Sequence, residues 1–270
     1  MLGHAFVEAL RARGEPWSAI AFPAIDLRDE RSVDAALADR PKLVINCAAY
    51  TDVDTAESHE AEASEVNGHG VGRLARACAA VGAKLVHFGT DYVFSGDASS
   101  PYPVDAPLAP RGAYGRSKAL GETLLRASGA AHLLVRTSWL YAPWGKNFVC
   151  TIARAAAERD ELRVVDDQRG RPTSAEELVR TTLALLVRGA EGTFHASDDG
   201  ECSWFELAAF VAETTHARAR VRPCTSAEYP RPAPRPRYSV LDLSKTHAIA
   251  PPAPHWRTSV AHVLARLQPG

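Results

Sequence analysis

The chain reads as an α/β protein, a doubly wound parallel sheet joined to a smaller C-terminal lobe. Three observations predict this. Through the first two-thirds of the 270 residues, short apolar runs alternate with longer periodic segments, the pattern of βαβ units. The runs are nearly continuous in apolar residues, as strands covered on both faces must be. After about residue 160 the strand-like runs shorten and proline becomes more frequent. The expected division is therefore 1–160, holding the sheet, and 161–270, mainly the lobe, with some strands and helices returning to the sheet.

KLVINCAA (42–49), AKLVHFGT (83–90) and AHLLVRTSW (131–139) predict the buried strands. Between the first two, residues 60–81 predict one helix, because Val71, Leu74, Ala75 and Cys78 recur at the spacing of one buried face. Further helices are expected over 115–128, 147–159 and 174–188. In the C-terminal region RVVDD and GTFHAS read as strand ends. Trp204, Leu207, Ala208 and Val211 repeat the helical pattern, as do Val260, Val263, Leu264 and Leu267. The Pro- and Arg-rich loop YPRPAPRPRYS (229–239) lies between these two helices.

Composition narrows the function. Hydrophobic residues make up 46% of the chain, enough for a sizeable core, and the net charge is -1 with no Lys/Arg-rich block. Nucleic acid and membrane surface are thereby excluded as main partners. No apolar run reaches the roughly 18 residues of a bilayer span, and the N-terminus lacks a signal-peptide pattern. The five cysteines, at 47, 78, 150, 202 and 224, form no C-x-x-C pair and have no close histidine. They read as thiols of a reducing compartment, and the expected location is cytoplasmic.

The chemistry concentrates in GTDYVFSG (89–96) and YGRSK (114–118). Thr90 ends an apolar run, and Tyr114 and Lys118 stand four residues apart, on one face of a helix. Such pairs also occur on ordinary amphipathic helices. Here, however, the pair opens a helix after a proline-rich loop, and its lysine is one of only five against twenty-six arginines. A phenol with an ordinary pKa near 10 is a poor acid at neutral pH, and a neighbouring ammonium lowers that value. Lys118 is therefore expected to make Tyr114 a usable acid.

With NCAAYTDVDTAES (46–58), VNGHGVGRLA (66–75), RTSWLYAPWGKNF (136–148), DDQRGRPTSAEEL (166–178) and RPRYSVLDLSK (235–245), the chain resembles the extended short-chain dehydrogenase/reductases. Within them it resembles the dTDP-4-dehydrorhamnose reductases, over nearly its whole length. The resemblance implies a Rossmann-type sheet, a C-terminal substrate-binding lobe, and reduction of dTDP-4-dehydro-L-rhamnose by NADPH or NADH, with the cofactor type open. Cofactor and nucleotide-sugar would meet beyond the C-terminal ends of the strands.

The same resemblance implies the roles. Tyr114 would give a proton to the alkoxide forming at C4, Thr90 would bond that oxygen, and Lys118 would hold the nicotinamide ribose. Ala48, Ala49 and Tyr50 would line the cofactor, although the alanines equally suit a plain strand-to-loop transition. Asp26 and Leu27 resemble the dipeptide beside the adenine, and Asn67 either supports the cofactor site or bonds backbone. Trp139 would be the sugar platform, with a core tryptophan as the alternative. Asp91 and Asn147 are further sugar or nucleotide candidates, and Arg171, Arg235 and Arg237 are candidate diphosphate donors.

Two departures stand out. The chain begins MLGHAF, resembling the tail of the family's Gly-rich turn, of which only Gly3 remains. That implies a sheet without its central first strand, weak cofactor binding, and a start assigned too late or a clipped chain. The position of a glutamate used by some members in a magnesium-linked dimer contact is Ala5, so no metal is expected, while a homodimer stays compatible. The competing functions are a non-catalytic regulatory protein, similar to the beta subunit accompanying methionine adenosyltransferase, and another epimerase or dehydratase of the superfamily.

Overall fold

The computed structural model describes residues 1–14 and 16–267. The first half runs α1 (Leu2–Arg13), α2 (Glu30–Ala36), β1 (Leu43–Asn46), α3 (Glu60–Ser64), α4 (Gly70–Val81), β2 (Lys84–Thr90), α5 (Ala113–Ala127) and β3 (His132–Thr137). Next come β4 (Leu140–Tyr141), α6 (Phe148–Glu158), β5 (Glu161–Val165), β6 (Arg169–Gly170), β7 (Thr173–Ser174), α7 (Ala175–Val187) and β8 (Gly192–His195). The chain closes with β9 (Cys202–Ser203), α8 (Trp204–Thr214), β10 (Arg220–Cys224), α9 (Ser244–His247) and α10 (Trp256–Ala265).

A four-stranded sheet in the order β1-β2-β3-β8 forms the centre, and its three pairings are all parallel. Successive side chains of a strand face opposite ways, and the core divides accordingly. Val86, Phe88, Leu133 and Val135 pack with α1 and α7 on one face, while Leu85 and Leu134 pack with α2, α4 and α5 on the other. Each such Val or Leu contributes roughly 1.5–3 kcal/mol when fully buried. The GTFHAS strand, β8, completes the sheet from the C-terminal region. A separate core gathers Tyr141, Val149, Ile152, Leu162, Leu207, Val211, Trp256 and Val263, so α6 packs with the C-terminal helices rather than on the sheet.

Two expectations need correction. The strand expected to be buried over 42–49 is an edge strand: β1 has β2 on one side and, among the described residues, no strand on the other. Leu43 is accordingly 39% exposed. The segment IAFPAIDLRD forms turns and carries no strand, and Ile20 and Phe22 are exposed. The single helix expected over 60–81 is interrupted by a π-turn at Glu65–His69. Its buried face still holds, with Val71, Leu74, Ala75 and Cys78 all buried, and α4 ends at Gly82 in the left-handed region. The π-turn lies where this run meets α5 at close range. A Cβ on Gly121 would stand 2.1 Å from the Asn67 carbonyl oxygen, so only glycine permits that approach.

Candidate active site

Because β1, β2 and β3 run parallel, residues 48–50, Thr90 and Trp139 emerge at one end of the sheet. Thr90 ends β2 in extended backbone and its hydroxyl accepts the Tyr92 N–H. The same hydroxyl donates to Asp91 Oδ1 at 3.0 Å and pulls the pKa of the Tyr114 phenol down against burial. Asp91 is 2% exposed. Burial pushes its carboxyl up to about 6 against the pull of the Ser239 and Thr90 hydroxyls, and no hydrogen bond of ordinary geometry reaches its Oδ2. An unsatisfied oxygen at that depth costs free energy unless a ligand hydroxyl meets it.

Tyr114 is the second residue of α5 and Lys118 lies one turn on. Lys118 is 3% exposed, and its ammonium donates to the Phe88 carbonyl at 2.7 Å. Burial brings its pKa down to about 8, with Glu122 opposing. Tyr114 is pushed up by burial, and the groups acting on it are Thr90, Asp91 and Tyr92. The expectation that Lys118 lowers the Tyr114 pKa is therefore corrected for the ligand-free state, because the ammonium is turned to the strand.

The strand-end loop is fixed by two buried amides. Asn46 Oδ1 accepts the Ala48 N–H at 3.0 Å, so its Nδ2 faces His87 Nδ1 at 3.1 Å. That assigns His87 as neutral with its proton on Nε2, and burial together with the Lys118 charge holds it so. Asn67, 1% exposed, accepts the Tyr50 N–H and donates to the Tyr50 carbonyl, both at 2.9 Å. Its amide also donates to Ser117 Oγ at 3.0 Å. Of the two readings open for Asn67, the structure shows the backbone-bonding one: its side-chain amide holds the Tyr50 backbone and Ser117 and is not itself a cofactor contact.

Ala48 is exposed at the strand end, Ala49 and Tyr50 are partly so, and Gly3 at the start of α1 approaches Cys47. Asp26 is held down to about 2 by the Arg28 guanidinium, whereas Leu27 is buried against α2 and α4. The Leu27 side chain is therefore core rather than an adenine contact. Small exposed side chains beside a buried ammonium fit a dinucleotide at this strand end.

The substrate candidates have unequal surroundings. Trp139 sits at φ 48, and its indole stacks on Trp204 at 3.5 Å with Gly170 against its Nε1 side. Trp204, which the sequence reading gave only a helical role, covers one face of the expected platform. Asn147 is corrected to a helix cap, its Oδ1 accepting the Cys150 N–H at 3.0 Å and its Nδ2 donating to the Ala142 carbonyl. Arg171 pairs with Asp199 at 3.3 Å and Arg237 is exposed. Arg235 donates to Asp54 Oδ1 at 2.7 Å and to the Tyr92 hydroxyl at 2.9 Å. Sequence reasoning also missed Tyr92, Asp54, Asn46 and His87. The only signal for the first three was that they fall inside the motifs TDYVF and NCAAYTDVDTAES.

The family model described as RmlD substrate binding domain matches residues 1–269. A dTDP-4-dehydrorhamnose reductase of Streptomyces griseus is 43% identical over 99% of this chain and 91% of its own length. One of Mycobacterium tuberculosis is 47% identical over 83% and 76%. The crystal structure of a dTDP-4-dehydrorhamnose reductase from Bacillus anthracis in complex with NADP superposes with a TM-score of 0.95 at 34% identity, covering 98% of this chain and 95% of that one. With hydroxyl, phenol and ammonium gathered at the end of a parallel sheet, and relatives matching along its whole length, the chain belongs to the dTDP-4-dehydrorhamnose reductase family.

Proposed function

We propose that the protein reduces the C4 keto group of dTDP-4-dehydro-L-rhamnose to give dTDP-L-rhamnose, with NADPH or NADH as reductant. The observation that carries this is the Thr90–Tyr114–Lys118 constellation, with Thr90 close enough to act on the phenol and Lys118 buried one helical turn away. Bound reduced nicotinamide supplies the hydride for C4. Tyr114 delivers a proton to the oxygen that becomes the alcohol, and Thr90 orients that oxygen. Lys118 would hold the cofactor ribose with its ammonium. Positioned acid catalysis of this kind is worth about 100- to 10,000-fold.

Ala48, Ala49, Tyr50, Gly3 and the backbone near Asp26 are the cofactor-side surface. The nucleotide-sugar is held by Trp139 and Asp91 and by the arginines of the 168–173 and 235–237 segments. The division into a cofactor part, 1–160, and a sugar-binding lobe, 161–270, belongs to the same reading, as does a cytoplasmic location for a chain whose five cysteines are free thiols. A purely regulatory protein has no need of the retained triad, and that reading is not favoured. The test is incubation with dTDP-4-dehydro-L-rhamnose and each reduced nicotinamide, following cofactor absorbance. Substrate-dependent oxidation supports the assignment, and none with either cofactor would sink it.

A further inference from the structure

The turn at residues 52–58 takes no part in the chemistry above, yet it touches the element that carries the proton donor. Glu57 Oε1 accepts the N–H of Ala113 at 2.8 Å, and Ala113 is the first residue of α5, directly before Tyr114. The helix has no cap of its own, because its N-cap residue is Gly112 and its first turn contains no acidic side chain. A Cβ on Gly112 would stand 2.7 Å from Glu57 Oε1, so the glycine leaves room for a carboxylate arriving from 56 residues away. Ala56 beside it is fully buried and packs with Ala113, Tyr50 and Tyr114.

The turn is itself anchored. Asp54 accepts Arg235 at 2.7 Å and Arg231 at 2.6 Å, and Arg235 donates to the Tyr92 hydroxyl. The Tyr92 ring meets that of Tyr114 edge-on at 5.7 Å. Glu57 is not among the groups that shift the Tyr114 pKa, so its influence on the phenol runs through the backbone.

We propose that Glu57 is a positioning residue for Tyr114: by capping the first N–H of α5 it fixes where the phenol stands relative to Thr90. The inference rests on the proton-donor reading of Tyr114. A displacement of about 1 Å at a reacting group can cost on the order of 100-fold, and loss of an N-cap frays the first turn, where Tyr114 lies.

The test compares Glu57→Ala, Glu57→Gln and the double variant Glu57→Ala/Gly112→Ser, with Tyr114→Phe as reference. Gln keeps the acceptor without the charge. Ser at position 112, whose backbone is extended as an N-cap requires, supplies a local cap once the Glu57 side chain is gone. Glu57→Ala is expected to lower kcat roughly 10-fold or more with both KM values within about 2-fold. Gln and the added Ser are each expected to restore most of it. Unchanged kcat in Glu57→Ala, KM values rising in step with the loss, or failure of both rescues would overturn the proposal. If Glu57→Ala does not fold, low kcat in a folded Glu57→Gln overturns it by itself. An active Tyr114→Phe would instead sink the proton-donor reading, whatever Glu57 does.

Discussion

The two sides of the site are built on opposite principles. On the catalytic side, at the ends of β2 and α5, the polar groups are buried and held by neutral or single hydrogen bonds: Asp91, Lys118, His87 and Asn67 are each 3% exposed or less. On the substrate side, along 229–239, Arg237 is exposed, and Arg231 and Arg235 are already paired with Asp54. Burial shifts protonation and fixes geometry before any ligand arrives. Solvated ion pairs can be exchanged for a diphosphate at small net cost. The difference separates turnover from affinity, and substitutions on the two sides should divide between kcat and KM.

The sharpest way to break the comparison is Lys118→Met. It is expected to lower kcat/KM by about 100-fold or more, since the bound cofactor would lose the ammonium that positions it. Wild-type kcat/KM should also fall as pH rises through about 8, where the free enzyme loses the Lys118 proton, because the protonated form is the active one. An alkaline limb that stays in place when Lys118 is replaced would show that another group titrates there.

A smaller effect is expected on the other side. Arg235→Met should raise the KM for the nucleotide-sugar roughly 10-fold through loss of a charge-assisted contact, with kcat within about 3-fold because Arg231 still holds Asp54 and Glu57 still caps α5. Steady-state kinetics decide it, and a kcat effect larger than the KM effect would erase the division. The smallest change is expected at the exposed Arg116–Glu60 pair, 2.7 Å apart on the outer side of α5. Arg116→Ala should alter stability by about 0–1 kcal/mol, measured by urea denaturation.

The sequence made legible what is local. The buried face of Val71, Leu74, Ala75 and Cys78 follows from helical spacing, and Thr90, Tyr114 and Lys118 from a strand end and an i,i+4 pair. Contacts created by topology left no such trace. Glu57 and Ala113 are 56 residues apart, and Asp54 and Arg235 are 181 apart. Trp139 and Trp204 meet only because β3 and α8 are brought together. Periodicity also cannot rank strands within a sheet, so KLVINCAA looked as central as AKLVHFGT although β1 stands at the edge. Asn147 and Leu27 were misjudged for a related reason: a polar side chain before a helix and an apolar one after an acid each have a structural use that the residue type does not reveal.

The central claim is that Tyr114 is the proton donor and that the buried side of the site governs turnover, and Tyr114→Phe tests it most directly. Substrate-dependent cofactor oxidation would be followed beside binding of dTDP-L-rhamnose and the melting temperature. The account predicts turnover below a tenth of wild type, with nucleotide-sugar affinity and melting temperature nearly unchanged. A folded variant that keeps more than a tenth of normal turnover would contradict it.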